Sequence, residues 1–131
     1  MFRSPLMMGG DLPSNDTWTT ALLTNLEVLA IDQDSAGGHP VWTTDEIVVW
    51  AANTASDNLR YLALFNLGDA AASVRYSWQD LGFAGASYRV RDLWERRDLG
   101  PAASIAVNVP AHGVALCGIA LGPSKPAHRS K

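Results

Sequence analysis

Phe2-Arg3-Ser4-Pro5-Leu6-Met7-Met8-Gly9-Gly10 is an apolar run closed by two glycines, and the reading of the fold turns on what that run becomes. A continuous apolar stretch of this length suits a strand buried on both faces. Pro5 is tolerated only near the start of such a strand or at a sheet edge. Residues 11–16 form a turn cluster with several N-cap residues, and Trp18, Ala21, Leu22, Leu26 and Leu29 follow at roughly helical spacing. Residues 2–34 thus predict one β-loop-α unit, with a single helix over residues 16–32 packing through Leu22, Leu26 and Leu29. A parallel strand needs crossover neighbours of its own kind, and none follows. The alternative is a helical hairpin or extension lying on a later sheet.

Ser35-Ala36-Gly37-Gly38-His39-Pro40 reads as a break rich in small residues, and the predicted domain boundary falls there. Beyond it the chain has strand character throughout. Val41-Trp42-Thr43 and Glu46-Ile47-Val48-Val49-Trp50-Ala51 are β-rich runs, and residues 59–66 are apolar on both faces, as in a central strand. Ser73-Val74-Arg75-Tyr76-Ser77-Trp78 alternates, with Val74, Tyr76 and Trp78 on the buried face. Residues 79–85 form a loop with an apolar step at Leu81 and Phe83, and residues 87–94 resume the strand pattern. Residues 95–101 read as a charged hairpin connection, followed by strands over 104–109 and 114–121. Seven or eight short strands at regular spacing, with no helices between them, predict a mainly β fold, an antiparallel Greek-key β-sandwich. The organisation expected is 1–36 as the strand-helix unit, 37–122 as the sandwich and 123–131 as a disordered tail.

A chain of 131 residues suits one main core without covalent staples. With 47% hydrophobic and 18% charged residues it belongs with folded globules. A net charge of -3 gives no electrostatic reason to expect nucleic acid. No stretch approaches membrane-spanning length, and no secretory h-region with a cleavage site is present, which leaves the compartment open. Cys117 is the only cysteine, so no intrachain disulfide forms, and its apolar neighbours predict a buried, inert thiol.

Several of these stretches together resemble the end of the catalytic barrel in glycoside hydrolase family 27, the α-galactosidases and α-N-acetylgalactosaminidases. The resemblance rests on Ser4-Pro5-Leu6-Met7-Met8-Gly9-Gly10-Asp11-Leu12 followed by Leu22-Leu23-Thr24-Asn25-Leu26-Glu27-Val28-Leu29-Ala30-Ile31-Asp32-Gln33-Asp34. Asp92-Leu93-Trp94-Glu95 and Pro110-Ala111-His112-Gly113-Val114 are similar to two landmarks of the same family's C-terminal β-domain, which extends the likeness over residues 2–121. It implies that residues 1–36 are the last β/α unit of a TIM-type (β/α)8 barrel and that the chain begins inside a catalytic domain. Retaining glycoside hydrolysis needs two carboxylates about 5 Å apart on neighbouring strands. The resemblance implies an aspartate on each of two earlier barrel strands, and no residue of this chain matches either motif.

Candidate site residues are correspondingly few, and none is expected to be catalytic. Asp11 follows the predicted strand and is the one acid with a plausible place at a barrel's catalytic end, a candidate substrate contact. The competing role for Asp11 is to cap the following helix or tie down the turn. Asp32 and Asp34, two residues apart at a helix end, do not face each other and read as termination and linker contacts. His39, His112 and His128 lack metal-site spacing, and His112 reads as a turn hydrogen-bonding residue. No metal or cofactor is expected. Two functions emerge: the accessory β-sandwich of an α-galactosidase-like enzyme, whose partner is the catalytic barrel or a second copy of the chain, or a stand-alone carbohydrate-binding or interaction module. The second would use Trp42, Trp50, Tyr61, Trp78 or Trp94 as a stacking platform. It would also have to cover Leu6, Met7, Leu22, Leu26 and Leu29 itself.

Overall fold

The structure, a computed structural model, describes residues 1, 4–55 and 59–121. The expected tail at 123–131, with His128, lies outside them. Eight strands, β1 (Ala36–Thr43), β2 (Ile47–Asn53), β3 (Leu59–Asn66), β4 (Ala72–Ser77), β5 (Tyr88–Asp92), β6 (Arg97–Ala102), β7 (Ser104–Val109) and β8 (Val114–Leu121), form two antiparallel sheets. The larger has the order β1-β2-β3-β8-β5-β6, and β4 pairs with β7 in the smaller. β8 enters between β3 and β5, so the last strand closes the larger sheet and the fold is the expected antiparallel sandwich.

Period-two alternation explains the packing between the layers. From β2 and β3, Val49, Ala51, Leu62 and Leu64 point inward; Val74, Ile105 and Val109 meet them from the smaller sheet, and Val90, Cys117 and Ile119 from β5 and β8. The loop after β4 plugs one end. Trp78, Phe83 and Tyr88 pack edge-on or tilted with centroids 5.1–5.8 Å apart. The Trp78 indole N–H donates to the Ala102 carbonyl at 2.7 Å, satisfying the one polar atom that this ring buries. Buried Asn66 does the same for the connections at the other end, donating from Nδ2 to the carbonyls of Ala70, Val109 and Pro110.

The sheet edges differ from expectation in two places. Residues 36–40, read as part of a break, are the first half of β1. Gly37, at φ +63°, absorbs a bulge there, and Pro40 is acceptable because β1 is an edge strand. Residues 97–101, read as hairpin connection, belong to β6. Gly100 and Pro101 mimic a turn in sequence, yet they pair with Val90 and Arg89 on the opposite edge.

The N-terminal segment departs further. No strand forms among the described residues at 4–8, which lie exposed; a barrel-type strand needs a neighbour on each side, and the sandwich offers neither. The predicted single helix is two, α1 (Thr17–Leu23) and α2 (Leu26–Asp34). The Asp16 carboxylate caps α1 by accepting from the Thr19 N–H at 2.6 Å, an interaction that holds its pKa below the usual aspartate range. Thr20 and Thr24 then donate their hydroxyls back to the carbonyls of Asp16 and Thr20, and Asn25 restarts the helix as a new N-cap.

Candidate functional site

The break at Asn25 sets the geometry of the junction between the helices and the sandwich. Asn25 is buried, and its Oδ1 accepts from the backbone N–H groups of Glu27 and Val28 while Nδ2 donates 2.8 Å to the Leu93 carbonyl at the end of β5. One side chain thus caps α2 and ties it to the larger sheet.

Two residues on, Glu27 accepts from Arg91 Nε and Nη2, each at 2.7 Å, in a bidentate pair. Both partners shift consistently. The hydrogen bonds from Arg91 outweigh partial burial and hold the Glu27 carboxyl below the ordinary glutamate range, and the Arg91 guanidinium is pushed up. The pair is about one-third exposed, 36% and 30% by side chain, so solvent screens it and it orients α2 more than it stabilises it. Asp98 of β6 lies 3.4 Å from Arg91 Nη1 and holds the guanidinium from the far side.

Resetting the helix also resets its buried face. The expected contacts through Leu22 and Leu26 are replaced: Leu26 is 77% exposed, Leu22 also faces solvent, and Val28 and Ile31 pack on the outer face of the larger sheet, while Leu29 is half-buried. There they meet Tyr61, Ala63, Leu93 and Leu116, the residues of β3 and β8 that alternate with the inner core and the one that follows β5. Burying Ile31 and part of Val28 stabilises the docking by about 3 kcal/mol before entropy is subtracted. A cleft of about 660 Å³ remains beside them, bordered by Glu27, Tyr61, Arg91 and Asp98.

Leu6, Met7, Met8, Leu12 and Leu26 are all exposed, with Met7 at 86%. Asp11 precedes a 3-10 turn at Leu12–Ser14; its carbonyl, not its side chain, makes the turn bonds, and Asp16 is the helix cap. The histidines are separate. His39 Nδ1 lies 2.7 Å from the Gly37 carbonyl, and His112, at a left-handed turn position, sets Nε2 3.0 Å from Asp69. Of the aromatic residues read as a stacking platform, Trp78 and Tyr61 are buried, while Trp42 is exposed beside Tyr76 with centroids 5.1 Å apart. Cys117 is buried, and desolvation, with the Asp92 charge second, pushes its thiol up to about 12. Sequence reasoning missed Asn25 and Glu27 as junction residues, although Asn25 followed by an acid in the next turn is a helix-start signal.

Residues 44–118 match the family model described as the α-galactosidase C-terminal β-sandwich domain. The chain is 38% identical over 96 residues to an α-galactosidase of Cyamopsis tetragonoloba, an alignment covering 71% of this chain and 23% of that protein. It is 32% identical over 113 residues to an α-galactosidase of Oryza sativa subsp. japonica, covering 84% and 27%. Among solved structures, a GH27 β-L-arabinopyranosidase from Geobacillus stearothermophilus superposes with a TM-score of 0.87 at 37% identity, over 95% of this chain and 28% of that one. The chain spans about a quarter of the length of the curated relatives it matches.

Proposed function

Because the chain belongs to the α-galactosidase family of glycoside hydrolases, family 27, and carries that family's C-terminal β-sandwich domain, we propose that it works as the accessory domain of a retaining glycosidase, seated against a catalytic (β/α)8 barrel. In this reading residues 1–36 belong to the barrel's last β/α unit and residues 37–122 to the accessory domain. The catalytic carboxylates lie on other barrel strands, Asp11 stands at the rim of the catalytic face as a substrate contact, and the substrate is an α-linked glycoside.

The observation that carries this reading is the contrast between a finished sandwich core and an N-terminal segment that leaves Leu6, Met7, Met8, Leu12, Trp18 and Leu26 exposed. So many large apolar side chains left exposed in one segment beside a well-packed core mark a surface that a partner covers. A stand-alone module would have folded those side chains inward. The polar links at Asn25 and Glu27 fit the same role, since they fix the angle between the helices and the sandwich, and with it the angle of any barrel joined to α1.

The test uses the Cyamopsis relative with the region homologous to this chain removed, supplied in trans. The expected result is that the 131-residue chain alone does not hydrolyse an aryl α-galactoside, co-elutes with the truncated relative, and restores its turnover. Turnover by the chain alone that survives repurification and is abolished by a point mutation in it would overturn the reading. So would failure to associate by a chain shown to be folded.

A further inference from the structure

Trp18 on α1 and Trp94, just beyond β5, border one open groove of about 790 Å³, with Glu95, Arg96 and His112 on its polar side. Trp18 is 71% exposed. Among the described residues neither indole N–H donates to a protein acceptor, whereas that of the core Trp78 does. The groove is therefore bordered by two indoles with free donors, the Trp94 ring being partly buried against the outer-face cluster.

The backbone gives an independent indication. Among the described residues two that are not glycine hold a left-handed φ, Arg96 at +52° and His112 at +53°, and both line this groove. Elsewhere the chain meets the same demand with glycine, at Gly37, Gly82 and Gly100. A side chain kept where glycine suits the backbone better points to a use for that side chain. Glu95 and Arg96 have no ion-pair partner within 4.0 Å among the described residues, so their charged ends are available, and Asp69 steadies His112 from one side.

We propose that this groove, between α1 and the sandwich, is a saccharide-binding site. A pyranose ring has one face of C–H groups and a rim of hydroxyls. The C–H face matches an indole plane, and the planar carboxylate of Glu95 and guanidinium of Arg96 each match a pair of neighbouring hydroxyls, with His112 as a third partner. The mixture of indole faces and unpaired charges selects a sugar over an apolar peptide, which would leave Glu95 and Arg96 desolvated without partners. Because Trp18 lies on α1, the site spans the helices and the sandwich, and titrating the chain without a barrel tests it apart from barrel docking.

The test is a titration of the full chain, labelled at the tryptophan indoles, with methyl α-D-galactopyranoside, methyl α-D-glucopyranoside and methyl α-D-mannopyranoside, read by NMR. At least one sugar is expected to shift the Trp18 and Trp94 indole N–H signals saturably in the millimolar range while the other three indoles stay still. Trp18→Ala and Arg96→Gly are each expected to weaken binding roughly tenfold. Arg96→Gly should at the same time leave the melting temperature unchanged or raise it, because glycine relieves the left-handed backbone; loss of binding then cannot be loss of fold. No response of the Trp18 and Trp94 indoles to any of the three sugars overturns the proposal, as does a response that survives Trp18→Ala or one confined to Trp42.

Discussion

The two faces of the larger sheet are built from the same strands and answer to different partners. On the inner face Leu62, Leu64, Val49 and Ile119 meet the smaller sheet and are sealed. On the outer face Tyr61, Ala63 and Leu116 meet one helix of nine residues, held by Ile31, Val28, the Asn25 cap and a half-open ion pair. The inner face is a core in its own right. The outer face is an interface enclosed within one chain, and the segment that precedes it leaves Leu6, Met7, Met8, Leu12 and Leu26 exposed. A strand apolar on both faces therefore carries two kinds of information, one about its own fold and one about what stands next to it.

This contrast can be broken most forcefully from the inside. Trp78→Ala should cost about 3–5 kcal/mol, since it removes a fully buried ring together with its bond to Ala102, and chemical denaturation should show loss of cooperative folding across both sheets. Ile31→Ala should cost about 2–3 kcal/mol and act locally. Hydrogen exchange would then rise across residues 26–34 while β2, β3 and β8 stay protected; equal loss everywhere would mean that the outer face is part of the same cooperative unit. In the exposed segment, Leu26→Ser should change the stability of the chain by no more than about 0.5 kcal/mol and weaken association with a barrel instead.

Glu27→Gln should also give a small stability effect, well below that of Ile31→Ala, because the pair is screened. Its signature is in pH. The folded carboxyl has a lowered pKa, so its contribution is fully present above the ordinary glutamate range and is lost as pH falls through the lowered value. Acid should accordingly loosen α2 before it melts the sandwich, and the variant should lack that early phase in circular dichroism. Cys117 marks the sealed side: with its thiol pushed up to about 12 and buried, it should react with a thiol reagent at neutral pH only at the rate of global unfolding.

The sandwich was legible in the sequence because alternation and burial coincide there. Val74, Tyr76 and Trp78 fall on one face in both the pattern and the structure, and residues 59–66 read as a central strand and are one. The edges were harder. In β1 and β6 the glycines and prolines that usually signal turns are used to shape edge strands, a distinction that depends on a neighbour far away in sequence. The junction was misread for a different reason. Leu22 and Leu26 keep helical spacing across Thr24 and Asn25, but a cap restarts the count, and a spacing rule that ignores the cap points them at the sheet when they face solvent. The groove at Trp18 and Trp94 had no sequence signal, because residues 18, 94 and 112 meet only after β5 and β8 are paired.

The edges of the larger sheet bear on how the protein behaves when crowded. An open sheet with two flat edges is a template on which a second molecule can add strand by strand until a fibre grows. Here β1 carries two register shifts and Pro40, and β6 a bulge and Pro101, so each edge is bent and lacks one backbone donor. Copies of the chain brought side by side therefore present edges on which strand addition stalls.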